Sequence, residues 1–220
     1  MNNIIDGETL KDFIKFAYSN LNANAKIVDE LNVFPIPDGD TGANMSKTLG
    51  GGYHAIQSCE ENNVGKIAVK CAEGMLLNAR GNSGVILSQL FYGFAEAIKN
   101  KETLTIADLV FAFGEGAKRG YLAVDKPTEG TILTVAREGY EYVRDFVDEK
   151  TNLENFVVEL LNATNKSVQD TPNKLEVLKK AGVVDSGGAG LYYIYEGINK
   201  GLHGKEVGIT EESSTPSQEI

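Results

Sequence analysis

Apolar residues recur every three or four positions through most of the chain, which is the spacing of one face of an α-helix. No comparable stretch alternates with a period of two. The pattern therefore predicts an all-α domain of about eight amphipathic helices. The stripes run through residues 10–21, 64–71, 87–98, 109–117, 132–143, 153–161 and 191–202, and a shorter one at 27–31 predicts a separate second helix.

Local signals refine the helix boundaries. Asp6 is a candidate N-cap for the first helix, and Thr105 with Asp108 has the spacing of a capping box. A third helix is predicted to open at about Asn44, and three glycines at 50–52 lie inside it. Each glycine costs about 1 kcal/mol in a helix interior. Either close packing offsets that cost or the helix breaks there, and the sequence leaves both alternatives open.

Residues 32–45, NVFPIPDGDTGANM, carry the clearest chemistry. Two prolines keep the approach extended, because each fixes its own φ and disfavours helix at the residue before it. Asp38 and Asp40 follow with Gly39 between them, so a tight turn can aim both carboxylates at one point. Hard oxygen donors beside the free N–H groups of a new helix suit Mg²⁺ and a polyphosphate together. A turn that only caps the helix is the alternative.

Two further glycine-rich segments interrupt the helical pattern. Residues 79–84, ARGNSG, combine two glycines with a hydroxyl, an amide and a cation, and residues 183–190, VVDSGGAG, lead into another apolar helix. Glycines let backbone N–H groups approach an anion, and the following helix adds its positive end. Segment 79–84 is not a Walker A loop, since no Gly-Lys-Ser/Thr follows at the required spacing. An ordinary helix–helix turn is its alternative.

Composition narrows the class of protein. A chain of 220 residues, 42% of them hydrophobic, fits one globular domain with a sizeable core. No apolar run approaches the length of a membrane span, and the first residues lack the pattern of a signal peptide. Cys59 and Cys71 have neither the spacing of a metal site nor that of a disulfide framework, so they indicate reduced, buried thiols of a cytoplasmic protein. The two histidines, His54 and His203, are too few for a zinc site.

The formal charge of −10 argues against a nucleic-acid surface. It also means that a bound nucleotide would need divalent metal to offset the charges of its phosphates and of the nearby carboxylates. The last stretch, residues 204–220, is polar and acidic without periodicity, and we expect a linker or a disordered tail there.

These segments together resemble one family. The chain is similar to the N-terminal, nucleotide-binding domain of the bacterial fatty acid kinase A subunit, a relative of the nucleotide-binding subunit of dihydroxyacetone kinase. The resemblance implies one domain over residues 1–203, an antiparallel helical barrel with ATP or ADP and two Mg²⁺ ions bound at one rim. The matching stretches are LNVFPIPDGDTGANM (31–45), ARGNSGVILSQLFYGF (79–94), KPTEGTILTVARE (126–138) and VVDSGGAGL (183–191).

The resemblance also implies roles for particular residues. Asp38 and Asp40 match metal ligands, and Asn32 falls near a third ligand position, after a one-residue length difference, where the dihydroxyacetone kinases carry an acid. An amide offers only a neutral oxygen, so one metal would be held more weakly or through water. Helix capping is the alternative role for Thr131 and Asp185. The positions that match nucleotide contacts are Thr41, Gly42, Ala43, Asn44, Gly81, Asn82, Ser83, Gly84, Thr131, Ile132, Asp185, Ser186 and Gly187.

The expected function follows from the metal site, because no set of side chains typical of nucleophilic catalysis is evident. The resemblance implies transfer of the ATP γ-phosphate to the carboxylate of a fatty acid held by a separate carrier protein. Further domains of the full-length subunit engage that carrier, so we expect this chain alone to bind nucleotide but to turn over poorly. The sequence leaves open whether two copies of the chain form a homodimer. The alternatives are a dihydroxyacetone-type kinase subunit and a non-catalytic nucleotide-sensing module.

Overall fold

A computed structural model describes residues 3–204 of the chain. These residues contain no strand beyond a single antiparallel bridge between Ile5 and Leu104. Of the predicted tail at 204–220, all but Gly204 lies outside the described residues. The helices are α1 (Gly7–Glu30), α2 (Thr41–Ile56), α3 (Val64–Leu77), α4 (Gly81–Ile98), α5 (Ile106–Leu122), α6 (Ile132–Phe146), α7 (Leu153–Lys174), α8 (Glu176–Ala181) and α9 (Ser186–Leu202).

Eight of these helices close into a ring. Each of α1 to α7 packs against the next helix in the chain, and α9 packs against both α7 and α1. The short α8 packs on α7. Neighbouring helices joined by short connections alternate in direction, so the ring is an antiparallel barrel. The prediction of an all-α domain with about eight main helices is confirmed.

The two ends of the barrel differ in what they carry. At one end, the Gly7 N–H donates to the Asn62 carbonyl (3.0 Å) and the Val64 N–H donates to the Glu102 carbonyl (3.1 Å), so α1 and α3 begin there together. We call this the far end. At the other end α2, α4, α6 and α9 begin, and we call this end, with its connections 31–40, 78–80, 123–131 and 182–185, the rim.

Three boundary predictions need correction. The separate helix at 27–31 does not exist, because α1 runs unbroken to Glu30. Residues 22–26, NANAK, contain no glycine or proline to end it, and the Asn22 side chain accepts a hydrogen bond from Ser46 on α2 (2.8 Å). The helix expected to open at Asn44 begins at Thr41. Helix α8 was not predicted, since six residues are too short to show a stripe.

The glycine run at 50–52 does not break α2, which is continuous to Ile56. The glycine run lies where α2 crosses α3 at close range. A Cβ added at Gly51 would lie 2.5 Å from the Asn78 side chain, and one added at Gly74 would lie 2.5 Å from the Gly51 carbonyl oxygen. Close backbone packing therefore accounts for these glycines, which is one of the two alternatives that the sequence left open.

Both predicted caps are confirmed. The Asp6 carboxylate accepts a hydrogen bond from the Thr9 N–H (2.9 Å) at the start of α1. The Thr105 hydroxyl accepts from the Asp108 N–H (3.2 Å), while the Asp108 carboxylate accepts from the Thr105 N–H (2.9 Å) at the start of α5. These bonds satisfy N–H groups that have no partner inside the helix.

The apolar stripes meet along the barrel axis, where Leu21, Met45 and Leu87 are fully buried. A cavity of about 110 Å³ remains among the core side chains, lined in part by Phe13 and Phe156. No helix in the described part of the chain is both long and apolar enough to cross a membrane. Both cysteines are free thiols; Cys71 is buried as expected, whereas Cys59 is only half-buried.

Candidate nucleotide and metal site

The rim collects the positive ends of four helices. The first N–H groups of an α-helix have no intrahelical partner, and the helix dipole places partial positive charge beside them. Helices α2, α4, α6 and α9 all begin at the rim, so the N-terminal ends of four helices lie at the same end of the barrel. In a chain with a formal charge of −10, this is a local environment that favours anions.

The carboxylate loop precedes α2. Gly39 has a φ of 68°, a left-handed conformation that suits glycine, and it separates Asp38 from Asp40. Both carboxylates are exposed. The Asn32 side chain is buried to 7% exposure, and its amide donates to the Asp38 carboxylate (2.7 Å). The structure therefore places Asn32 beside Asp38, with the amide nitrogen towards the carboxylate, and the role of Asn32 as a metal ligand stays a prediction.

A residue that the sequence reasoning missed supports this loop. The Asp29 carboxylate, in the last turn of α1, accepts a hydrogen bond from the Ala43 N–H (3.0 Å) in the first turn of α2. Its own carbonyl accepts from the Asn32 N–H (3.1 Å). The sequence does carry a signal for this role, because Asp29 is an acidic residue one turn before Asn32, near the predicted end of a helix. Asp29 thus ties α1, the carboxylate loop and α2 together.

Acidic groups at the loop are few. In the part of the chain that the structure describes, no three side chains of His, Cys, Asp or Glu are grouped so as to hold a metal ion. A metal at Asp38 and Asp40 would therefore complete its coordination with neutral oxygens, from Asn32, water or a ligand. Hard divalent cations accept amide oxygens and water readily.

The first and third segments meet in the protein interior. The Ser186 hydroxyl, at the start of α9, lies 3.2 Å from the Thr41 hydroxyl at the start of α2, and both residues are buried. Gly42 packs against the Ala25 backbone of α1 so closely that any side chain would clash. Thr41 and Gly42 therefore help to assemble the rim. Ala43 is exposed and Asn44 is half-buried, which leaves them facing the surface.

The second segment packs against the first. The Arg80 N–H donates to the Thr48 hydroxyl (3.3 Å) on α2. Gly81 has a φ of 61°, and a Cβ there would lie 2.5 Å from the Asn44 side-chain nitrogen. A Cβ at Gly84 would collide with the Thr48 hydroxyl. The glycines thus let α4 start directly beside α2, while Asn82 stays exposed and Ser83 half-exposed.

Asp185 joins α9 to α6. Its carboxylate accepts hydrogen bonds from the Gly188 N–H (2.7 Å) and from the N–H of Ile132, the first residue of α6. Its own N–H donates to the Thr171 hydroxyl on α7 (3.0 Å). Burial at 4% exposure raises the pKa of Asp185 to about 6, although the two N–H donors oppose that shift. Asp185 caps two helices at once.

Thr131 and Ile132 line the same junction. The Thr131 hydroxyl donates to the Thr128 carbonyl (2.7 Å), which closes the turn before α6. Ile132 is buried, and a Cβ at Gly187 would lie 3.1 Å from its Cβ. Both residues therefore have structural roles beside the rim. Their assignment as nucleotide contacts stays a prediction.

A polar network that the sequence reasoning did not single out holds the connection before α6. The Glu129 carboxylate accepts hydrogen bonds from Thr134 (2.7 Å), Tyr121 (2.8 Å) and Arg137 (2.8 Å). These donors keep the pKa of Glu129 below its ordinary value, although partial burial opposes them. The network fixes residues 128–131 against α5 and α6, so this part of the rim is preorganised.

Taken together, the three predicted segments lie at one rim, and the first segment contacts each of the other two. Some of the predicted residues hold the helix starts in place: Thr41, Gly42, Gly81, Gly84, Asp185 and Gly187. Others remain exposed: Asp38, Asp40, Ala43 and Asn82. Chemically, the rim presents unpaired carboxylate oxygens next to helix N–H groups. That arrangement suits a metal ion bridging to a polyanion.

Comparisons with known proteins agree with this geometry. Residues 35–200 match the DAK2 domain. The chain is 44% identical over 203 residues to an uncharacterized protein of Staphylococcus epidermidis and 41% identical over the same length to protein YloV of Bacillus subtilis. In each case 92% of this chain is covered but only 37% of the relative, so the chain spans little more than a third of these proteins.

The fold is also that of a solved structure. The dihydroxyacetone kinase from C. freundii, in complex with AMP-PNP and Mg²⁺, superposes with a TM-score of 0.66 at 15% sequence identity. The match covers 86% of this chain and 33% of that one. The native form of the same kinase gives a TM-score of 0.63. At this identity the likeness shows a shared helical barrel.

Proposed function

Because this chain belongs to the DAK2 domain family, we propose that it is the nucleotide-binding domain of a kinase and holds ATP with Mg²⁺ at the rim. The observation that carries the proposal is the contact between Thr41 and Ser186, which joins the first and third segments across 145 positions of the chain. Gly81 packed against Asn44 adds the second segment. Phosphates bound there would meet helix N–H groups from several sides.

Asp38, Asp40 and Asn32 are the residues we assign to Mg²⁺. The two carboxylates are exposed, and neither forms an ion pair with a lysine or arginine of the described chain. Two unneutralised carboxylates beside an asparagine side chain, whose amide oxygen could serve as a further ligand, are a donor set that fits Mg²⁺. Bound Mg²⁺, two ions by the family resemblance, would offset phosphate charge during transfer. The C. freundii kinase, which shares the fold, is in complex with AMP-PNP and Mg²⁺, and this supports a nucleotide with Mg²⁺ as the ligand of the proposed site.

The acceptor we propose is the carboxylate of a fatty acid. A carboxylate is already ionised at neutral pH, so its oxygen can attack the γ-phosphorus without a general base. The bond from phosphorus to the ADP oxygen breaks, which gives an acyl phosphate and ADP. A hydroxyl acceptor would profit from a base, and neither histidine lies at the rim. His54 is in the last turn of α2 and His203 follows α9, both at the far end.

We propose that a separate carrier protein presents the fatty acid and that the reaction takes place in the cytoplasm. Transfer requires that the acceptor be held in line with the γ-phosphate, and we propose that domains beyond the one described here position the lipid carboxylate. The relatives are longer than this chain by almost two thirds of their own length, which leaves room for domains that bind the carrier. We therefore expect this chain alone to bind nucleotide but to transfer phosphate slowly. A second copy of the chain is a further partner to test.

The experiment incubates the full-length protein with ATP, Mg²⁺ and a fatty-acid-loaded carrier and traps acyl phosphate with hydroxylamine. An acyl hydroxamate that requires all three components supports a fatty acid kinase. Phosphorylated dihydroxyacetone, with no hydroxamate, would favour the dihydroxyacetone-type kinase whose fold the chain shares. Nucleotide binding with neither product would favour a nucleotide-sensing module.

A further inference from the structure

Arg80 differs from the other three arginines of the chain. Arg137 pairs with Glu129 (2.8 Å), Arg144 pairs with Asp145 (2.9 Å), and Arg119 bonds to Gln89 (2.9 Å) and lies over the Tyr92 ring. Among the described residues, the hydrogen bond that the Arg80 guanidinium donates goes to the Ala79 carbonyl (3.1 Å), its neighbour in the backbone, and Arg80 forms no ion pair or cation–π contact. Arg80 is exposed.

The backbone of Arg80 is held firmly although its side chain is not. Its N–H donates to the Thr48 hydroxyl (3.3 Å), and its carbonyl accepts from the Gly84 N–H (3.0 Å) in the first turn of α4. The next residue, Gly81, packs against Asn44. Arg80 therefore stands at a fixed point where the starts of α2 and α4 adjoin, with a long cationic side chain that has no acidic partner there.

The position suggests what the side chain is for. The rim carries Asp29, Asp38 and Asp40, and the whole chain has a formal charge of −10. Among the described residues the Arg80 guanidinium has no carboxylate partner, and even an exposed ion pair would add little to stability, so folding does not account for this side chain. Its guanidinium offers a planar fork of N–H donors that matches phosphate oxygens.

We propose that Arg80 binds the terminal phosphate of the nucleotide and offsets the charge that spreads over it during transfer. This inference rests on the proposed function, since it needs ATP at the rim. The backbone N–H groups of residues 81–83, at the start of α4, have no partner inside the helix and suit the inner phosphates, whereas Arg80 occupies the N-cap position, outside the helix. It is thereby placed to distinguish a triphosphate from a diphosphate.

The test compares AMP-PNP with ADP, both with Mg²⁺, by titration calorimetry on the 220-residue chain. Arg80→Ala should weaken AMP-PNP binding by about tenfold, which is about 1.4 kcal/mol, and should change ADP binding by less than about twofold. Arg80→Lys, which keeps the charge without the fork, should lose less than Arg80→Ala. The matched control is Arg144→Ala, an exposed arginine in the last turn of α6, which should change neither affinity.

Unchanged AMP-PNP affinity in a folded Arg80→Ala variant would overturn the proposal, and so would an equal loss for both nucleotides. Either outcome would leave the proposed function standing, because the unsubstituted chain still binds nucleotide. If the unsubstituted chain binds neither AMP-PNP nor ADP, the proposed function and the role of Arg80 fail together.

Discussion

The Ser186 hydroxyl donates to the Thr41 hydroxyl at 3.2 Å, inside the protein, between the first residues of α9 and α2. The two side chains are 4% and 6% exposed, so neither can exchange this partner for bulk water. Two segments that are far apart in the chain are thereby locked side by side at the rim. The site is built by helix starts that hold one another, with the ligand-facing groups on the turns beside them.

We expect Ser186→Ala to lower the free energy of unfolding by about 1 kcal/mol, because it removes one buried hydrogen bond and leaves the Thr41 hydroxyl without this donor. Urea denaturation of the variant measures the loss. Ser58→Ala, at an exposed position in the turn after α2, should be neutral and serves as the control. A combined Thr41→Val and Ser186→Ala variant that shows no coupling between the two changes would contradict the contact.

The Gly84→Ala substitution should weaken ADP binding by about tenfold or more and should also lower stability. The added Cβ would run into the Thr48 hydroxyl, which holds the Arg80 N–H, so the loop at 80–84 must shift away from α2. Calorimetry with ADP measures the first effect and thermal unfolding measures the second. Wild-type ADP affinity in the folded variant would return this segment to an ordinary helix–helix turn.

The crossing of α2 and α3 allows a test of the glycine packing. Gly74→Ala should destabilise the protein by about 1–3 kcal/mol, although alanine is the better helix former, because the methyl group would meet the Gly51 carbonyl at 2.5 Å. Gly139→Ala is the comparison, since its methyl meets nothing closer than 3.2 Å and should cost less. Equal unfolding free energies for the two variants would contradict the close crossing.

Asp185 should make stability fall as pH rises. Its pKa is about 6 in the folded protein, above the ordinary value of 3.8, so the folded state holds the proton more tightly than the unfolded state. The contribution of Asp185 to the free energy of unfolding should therefore be greatest below about pH 4 and should decline as the pH rises to about 6. At 1.4 kcal/mol per pKa unit, the decline is roughly 3 kcal/mol.

Asp185→Asn isolates that effect, because it keeps an oxygen acceptor but cannot ionise. We compare the unfolding free energies of wild type and variant from pH 4 to pH 7. Over this range the variant should gain stability relative to wild type by up to roughly 3 kcal/mol. A difference that is flat across this range would mean that the buried carboxyl does not titrate as its surroundings dictate.

Much of this architecture can be predicted from the sequence, because helix stripes and glycine-rich breaks are local patterns. The continuity of α1 through residues 22–26 could not be predicted, since a polar stretch looks alike whether it faces solvent or a neighbouring helix. Asp29 was missed because its bond to the Ala43 N–H depends on how α1 and α2 cross. The angle at which two helices cross cannot be read from a single sequence.

The glycines show the same limit. Gly42 and Gly84 are predicted phosphate contacts, yet each is also required by close packing, against Ala25 and Thr48 respectively. Which glycines serve a ligand and which serve packing depends on neighbours that lie far away in the chain.

The proposed binding of Mg²⁺ by Asp38 and Asp40, beside a nucleotide at the rim, can be tested directly. The measurement is titration calorimetry of AMP-PNP with and without Mg²⁺, for the unsubstituted chain and for Asp38→Ala, Asp40→Ala and the far-end control Asp12→Ala. We expect Mg²⁺ to tighten AMP-PNP binding to the unsubstituted chain and to Asp12→Ala. We expect this gain to be lost in Asp38→Ala and Asp40→Ala while helix content stays the same. A Mg²⁺-dependent gain that persists undiminished in Asp38→Ala and Asp40→Ala would contradict the proposed binding.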